Sequence, residues 1–371
     1  MTCHRWIAPL AVLAAAFAPA VVAAQNTFAR DASTGRLVYQ RACAACHGAD
    51  GTGMPQPVVG FAVPLPDFTS CTFTSREPDP DWLAIVHEGG PARGFDRLMP
   101  AFRDALSEAQ MLDALARVRG FCRDLGAWPP GDLNLPRSLA TEKAFPEDEV
   151  VLTLTADAEG AGGVAAKFVY ERRVGRVDQF EVVLPYAASR SASGDWSGGA
   201  GDIALGWKRA IVHSPRTMTA LSVAGEVILP TGSEALGTGK GVAVFEPFVA
   251  FGQAFAGESF VQFQGGLEIP VRSGHATEGF WRTVVGRTFS QDRFGRAWTP
   301  MLELLAAREL ASGHRTQWDL LPEVQVSLSR RQHILIAAGV RIPVTEAAAR
   351  PTRVMVYLLW DWFDGGLLDG W

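Results

Sequence analysis

Gln317-Trp318-Asp319-Leu320-Leu321-Pro322-Glu323-Val324-Gln325-Val326-Ser327-Leu328 sets Trp318, Leu320, Val324, Val326 and Leu328 against Gln317, Asp319, Glu323, Gln325 and Ser327. Successive side chains of a strand point to opposite faces, so this stretch reads as a strand with one apolar and one polar face. The same alternation recurs in 260–271 (Val261, Phe263, Leu267, Ile269, Val271), in 333–344 (Ile334, Ile336, Val340, Ile342, Val344) and in 353–362 (Val354, Val356, Leu358, Trp360, Trp362). About twelve such segments follow one another, near 149–156, 164–174, 177–187, 201–213, 216–229, 241–253, 258–271, 279–290, 297–310, 315–328, 332–343 and 352–363. Most have the roughly ten residues that a tilted strand needs to cross a bilayer. A soluble β-sandwich would bury the apolar face and use strands of about five or six residues. A membrane barrel turns that face to lipid and keeps the polar face for its lumen. Strand length, the even count, the Gln, Glu, Asp and Arg on the polar faces and the aromatics near strand ends, Trp371 among them, favour an antiparallel barrel over 149–371.

Upstream of residue 149 the alternation stops. The chain of 371 residues is long enough for two domains, its 48% apolar and 20% charged residues are those of ordered protein, and its formal net charge of −5 gives no reason to expect a nucleic-acid partner. Residues 1–24 read as an export signal: Arg5, then an apolar run from Ile7 to Val22, then the small residues Val22-Ala23-Ala24, with the mature chain expected to begin at Gln25. Once Cys3 has left with that signal, the remaining cysteines all lie between 43 and 122. This asymmetry separates a first domain, 25–127, from the strands. Between them, 128–148 is rich in proline and mixed charge and lacks periodicity, which suits a linker. Its Trp128, Leu133, Leu135 and Phe145 suggest equally that part of it packs on a domain.

Cys43-Ala44-Ala45-Cys46-His47 carries the chemistry of the first domain. C-x-x-C-H is the attachment signature of a c-type haem. Two thiols three positions apart reach the two vinyl groups of one porphyrin, and the next residue, His47, presents an imidazole to the iron. One such motif implies one covalent haem c. The second axial ligand is assigned to Met99, in Leu98-Met99-Pro100-Ala101-Phe102; a thioether favours ferrous iron and raises the potential. Met54 is too near His47 to reach the opposite haem face, and His87 reads as a surface residue of a helix. Cys71 and Cys122 are left over, and in an oxidising compartment they are expected to pair.

The first domain should be helical. One helix runs from about Ser33 into the motif, with Leu37, Val38 and Ala42 for burial; a second starts on Asp79 as N-cap with Pro80 behind it and stops at Gly89-Gly90; a third opens with the capping box Ser107…Gln110 and continues through Met111, Leu112, Leu115 and Val118. Helix, haem motif, Met-bearing loop and final helix resemble the class I cytochrome c family over about 31–125. The resemblance implies thioethers at Cys43 and Cys46, His47 as proximal ligand and Met99 as distal ligand. The sequence departs from that family at Gly60-Phe61-Ala62-Val63-Pro64-Leu65-Pro66, where a proline carbonyl orients the proximal histidine; Pro64 and Pro66 are the candidate acceptors for the His47 Nδ1–H.

The strand region has a resemblance too. Gly201-Asp202-Ile203-Ala204-Leu205-Gly206-Trp207-Lys208 and, further on, Gly225-Glu226-Val227-Ile228-Leu229-Pro230-Thr231-Gly232 are similar to the outer-membrane barrel family named for the MetA pathway of phenol degradation, over about 150–363. That implies a barrel in outer-membrane lipid and transport of small solutes. The expectation for the whole chain is therefore a single-haem electron carrier rather than a catalyst, tethered to the outer membrane with its haem domain in the periplasm, where it meets a redox partner. The alternative is a porin-like transporter of small solutes, aromatic ones included, with an accessory or regulatory cytochrome domain.

Overall fold

The structure is a computed structural model that describes residues 31–60, 63–160, 162–191 and 193–371; the expected export signal, 1–24, and the start at Gln25 lie outside the described residues. Helices come first. α1 (Ala32–Val38) starts on Asp31, whose carboxylate accepts from the Ser33 N–H at 2.9 Å. It widens into a π-turn, Tyr39–Cys43, and continues as α2 (Ala44–His47). Two single-turn helices follow, α3 (Gln56–Val59) and α4 (Cys71–Thr74), then α5 (Asp79–Glu88) and α6 (Glu108–Arg119). The Ser107–Gln110 capping box at the start of α6 forms in both directions. At α5 the cap differs from expectation: Pro78 takes the N-cap position and Asp79 is already helical. The Asp79 carboxylate instead accepts from Arg119 Nε at 3.1 Å, tying α5 to α6. α1 and α6 cross at Gly35, where an added Cβ would stand 2.3 Å from the Asp113 carbonyl oxygen. Glycine costs a helix about 1 kcal/mol relative to alanine; here it permits backbone contact. Cys71 and Cys122 form a disulfide that joins α4 to the segment after α6, with Cα atoms 5.1 Å apart.

Fourteen strands follow: β1 (Glu149–Asp157), β2 (Gly163–Val174), β3 (Asp178–Arg190), β4 (Trp196–Ala200), β5 (Ala204–Ser214), β6 (Thr219–Ile228), β7 (Val244–Phe255), β8 (Ser259–Pro270), β9 (Glu278–Arg287), β10 (Phe289–Ser290), β11 (Ala297–Glu309), β12 (Gln317–Ser327), β13 (Ile334–Pro343) and β14 (Arg353–Asp361). Every pairing is antiparallel. β1 pairs with β14, Leu152 opposite Leu358, and β9 pairs with β11, Leu304 opposite Thr283, which closes the ring. β4 only extends β3 and β10 only extends β11, so twelve strands make the barrel wall. The wall is inside out relative to a soluble protein. Leu152, Phe168, Leu205, Phe245, Leu302, Val324 and Leu358 are exposed, while Glu171, Gln179, Lys208, Gln262, Glu303 and Gln325 are buried. Such an exterior suits lipid, and this is an outer-membrane-type β-barrel. Among the described residues no helix is long and apolar enough to cross a membrane, which bears on helices alone.

The barrel has one end of tight turns, at 175–177, 215–218, 256–258, 291–296 and 328–333, and one end of mostly longer loops, the largest at 191–203 and 229–243. The two pieces of the family-like motif meet in those loops. The Asp202 carboxylate accepts from Gly232 N at 2.8 Å and from Lys240 N at 2.7 Å. Gly201-Asp202 thus lies outside β5, which begins at Ala204. The helical domain sits on the opposite, tight-turn end. Arg93 donates to the Phe294 carbonyl, Arg331 donates to the Gly94 carbonyl at 3.2 Å, Arg293 pairs with Glu108 at 2.5 Å, and the Arg76 guanidinium lies 3.8 Å from the centre of the Phe363 ring.

Residues 131–148 run through the lumen as a strap. Leu133, Ala144 and Phe145 pack with Ala220, Phe248, Ala250 and Phe280; Leu135 with Phe260, Val284 and Met301; Leu139 with Val151, Val169, Leu321 and Tyr357. An irregular buried backbone needs hydrogen-bond partners, and the polar wall supplies them. Glu303 accepts from Ala140 N at 2.9 Å and Thr141 N at 2.8 Å, Glu323 from Leu139 N at 3.0 Å, and Gln179 from Glu147 N at 2.7 Å. Tyr357 donates to the Arg137 carbonyl at 2.7 Å. Of the two readings of this segment, packing on a domain is the one the structure adopts, and the surface it packs on is the inside of the barrel.

Candidate haem-binding site

Cys43 ends the π-turn, and Cys46 and His47 lie on α2, all three half-buried. Local hydrogen bonds hold this stretch. The Tyr39 hydroxyl, 1% exposed, donates to the Gly48 carbonyl at 2.7 Å; Gly53 N donates to the His47 carbonyl at 3.0 Å and Met54 N to the Cys46 carbonyl at 2.8 Å. Gly51, with φ +83°, brings the chain against the Phe121 ring, where a Cβ would stand 2.7 Å from ring carbons. Cys43 and Ala44 pack against Tyr39, Phe68 and Val118. The Phe68 ring lies 4.9 Å from the His47 ring and 5.6 Å from Trp82, which also touches the Leu83, Met111 and Leu115 cluster. Tyr39 and Phe68 thus border His47, and Trp82 backs Phe68; in sequence all three read as apolar-core residues, and the motif alone did not reveal them.

The chemistry of the donor set fits a covalently held haem. The disulfide consumes Cys71 and Cys122, leaving Cys43 and Cys46 as the free thiols among the described residues. Burial, with Cys46 beside it, pushes the Cys43 thiol up to about 11. A redox C-x-x-C pair needs the opposite shift, toward the thiolate. Burial also lowers the His47 pKa, which keeps the imidazole neutral and its lone pair available to a metal. His47 Nδ1 is buried with no hydrogen-bond partner among the described residues, and neither Pro64 nor Pro66 accepts from it. Phe61 and Ala62, in the segment that departs from the family pattern, lie outside the described residues.

Met99 stands on the loop between α5 and α6, half-buried, its carbonyl accepting from Gly90 N at 3.0 Å. Gly90 has no room for a side chain there: a Cβ would stand 2.3 Å from the Asp96 carbonyl oxygen and 3.2 Å from Met99 Cβ. His87 is not a free surface residue. Its ring lies 5.2 Å from Phe294 of a barrel turn and its Nδ1 lies 2.8 Å from Glu88, which places it in the interface between the two domains.

No curated protein matches the chain significantly. Solved structures with a similar fold include the COG4313 outer membrane channel from Pseudomonas putida F1, at 11% identity and a TM-score of 0.42 over 61% of this chain and 99% of that one. The KdgM porin in complex with disordered oligogalacturonate aligns at 10% identity and a TM-score of 0.37 over 57% and 98%, and the NanC porin at 7% and 0.40 over 57% and 98%. In the helical part, residues 30–116 match the family model described as Cytochrome C oxidase, cbb3-type, subunit III. The match spans Cys43, Cys46, His47 and Met99, and the N-terminal region of this chain is a cytochrome c-type domain.

Proposed function

We propose that the chain is a single-haem electron carrier held at the periplasmic face of the outer membrane by its own barrel. The observation that carries this reading is the trio of Cys43, Cys46 and His47: two thiols outside any disulfide, three positions apart, followed directly by a half-buried imidazole whose pKa burial lowers. The thiols would hold the porphyrin as thioethers, and His47 and Met99 would hold the iron. Bound there, the haem supplies one-electron exchange between ferric and ferrous states. Two protein ligands leave no coordination position for a substrate, so the residues act by fixing and shielding the group rather than by making bonds to a reactant. Phe68, its ring 4.9 Å from that of His47, would help shield the group from water, and such burial is one of the levers that set a haem potential.

The periplasmic placement rests on the ends of the barrel. In outer-membrane barrels the short turns face the periplasm, and the helical domain docks on the tight-turn end through Arg93, Arg293 and Arg331. The strap through the lumen speaks against a freely conducting porin. Membrane fractionation followed by haem staining of a denaturing gel tests the proposal. Haem-stained full-length chain in the outer-membrane fraction is the expected result; stained chain in the soluble periplasm would overturn the tether, and an unstained chain would overturn the carrier.

A further inference from the structure

Carboxylates crowd one part of the lumen. Glu171 on β2 faces Glu181 on β3; Glu181 faces Gly206 on β5; Gly206 faces Glu226 on β6; and Glu226 faces Glu246 on β7. Four glutamates therefore stand in one cross-strand row, interrupted by a residue with no side chain. Like charges directly opposite one another destabilise a sheet, so the row needs a counter-charge. Arg137 of the strap meets part of that need, lying 2.7 Å from Glu171 and 3.3 Å from Glu142. Lys208 stands beside the row and donates to the Lys143 carbonyl of the strap at 3.0 Å.

Gly206 makes a gap in this row. A Cβ there would meet Glu226 Cγ at 3.1 Å and Glu181 Cβ at 3.2 Å, so both acidic side chains lean over the missing one. Between them and Glu142 lies a cavity of about 10 Å³, also lined by Gly206 and Lys208. That is room for one water-sized atom. Single oxygens of Glu142, Glu171 and Glu181 lie within 4.8 Å of one another. Glu181 lines the cavity, is 8% exposed, and among the described residues receives no hydrogen bond from an N–H or O–H group; its contacting polar neighbour is another carboxylate, Glu171. A buried carboxylate in contact with a second one requires a cation or a shared proton. Arg137 and Lys208 act on these carboxylates, and Lys167 and Arg282 act on Glu142 and Glu226, yet none of the four cations donates a hydrogen bond to Glu181 among the described residues.

We propose that this cavity is a divalent-cation site, in which Glu142 of the strap and Glu181 and Glu226 of the wall hold a hard, oxygen-seeking ion of the Ca²⁺, Mg²⁺ or Mn²⁺ class. All-oxygen donor sets select such ions over softer ones. The ion would bridge strap and barrel wall and so seat the strap in the lumen. The site is independent of the haem, and its failure would leave the electron-carrier reading untouched.

The test uses the full chain in detergent micelles, stripped with a chelator and titrated with Mn²⁺, the free ion being followed by electron paramagnetic resonance. The expected result is saturable uptake of one Mn²⁺ per chain, displaced by Ca²⁺. The paired variant Glu181→Gln/Glu226→Gln should weaken uptake by at least about tenfold, a cost that even outer partners of metal ligands carry, while Glu309→Gln at the loop-end mouth leaves it unchanged. Glu142→Gln, which keeps the strap backbone bonds, reads the same effect should the paired variant fail to form a compact barrel. Absence of saturable uptake by the unaltered chain would mean that the carboxylates share protons and would overturn the proposal, as would unchanged affinity in Glu142→Gln or the paired variant.

Discussion

The Arg137 guanidinium meets the Glu171 carboxylate at 2.7 Å inside the barrel, 34 residues apart in sequence and both nearly without solvent. The same guanidinium reaches Glu149 and Glu142, so one strap residue pairs with three carboxylates from two parts of the chain. Removing one member of a buried ion pair leaves the other charge uncompensated, at a cost of about 3–5 kcal/mol. Arg137→Ala should therefore loosen the strap. The unheated barrel should lose its compact gel mobility at a lower temperature, and vesicles carrying it should swell faster in sugar solutions than those carrying the unaltered chain. Equal swelling rates would mean that the strap stays seated without Arg137.

Haem attachment separates from iron ligation. Cys43→Ser/Cys46→Ser should abolish haem staining on a denaturing gel, because no thioether remains. Met99→Ala should keep the stain, since the covalent bonds are elsewhere, but shift the ferric spectrum toward a weaker axial field and lower the potential, because the thioether that favours ferrous iron is gone. An unaltered spectrum in Met99→Ala would remove Met99 from the iron.

Docking of the two domains should depend on pH. Burial pushes the Asp364 carboxyl from its ordinary 3.8 up to about 8, against the opposing pull of Arg331 and Arg93 and with Asp81 adding to the rise. The docked state thus holds a proton that the undocked chain gives up above its ordinary pKa. The contribution of this group is complete below about pH 4 and falls as the pH rises toward 8. Protease cleavage in the 362–371 tail should be slow at about pH 6 and faster at about pH 9, and Asp364→Asn should flatten that difference. A pH-independent cleavage rate in the unaltered chain would show that Asp364 does not control docking.

The α1–α6 crossing tolerates no side chain at position 35. Gly35→Ala would place its Cβ 2.3 Å from the Asp113 carbonyl oxygen. Overpacking of this kind costs about 1–3 kcal/mol. Thermal unfolding followed at the haem absorbance should show the loss in the cytochrome domain, with the barrel transition unchanged.

The Cys71–Cys122 bridge spans a separation of 51 residues and ends on a buried sulfur, Cys122 being 3% exposed. Opening a bridge in a small exported domain costs about 2–5 kcal/mol. Cys71→Ser/Cys122→Ser should lower the midpoint of the same haem-domain transition and reduce the yield of stained protein in the membrane fraction.

Much of this molecule was legible along the chain. The barrel followed from alternation in segments such as 317–328, because the pleat of a strand fixes which face each residue occupies whatever its partners are. The proposed attachment site was read from Cys43, Cys46 and His47, whose spacing is set by one helical turn. The Ser107–Gln110 cap was visible for the same reason: both of its hydrogen bonds lie within four residues. The strap was not visible. Leu133, Leu135 and Leu139 do alternate, but Pro136 and the mixed charges of Arg137, Glu142 and Lys143 break the run, and the groups that satisfy the strap backbone, Glu303 and Glu323 among them, lie 162 to 184 residues further on. The lack of an acceptor for His47 Nδ1 among the described residues, the packing of His87 against Phe294 and the seating of the helical domain on the tight-turn end have the same character. Period and covalent proximity are properties of the chain, and they determined the strands, the helices and the attachment site. What fills a lumen or closes over an interface depends on which distant side chains a closed barrel brings together, and the tertiary structure alone decided it.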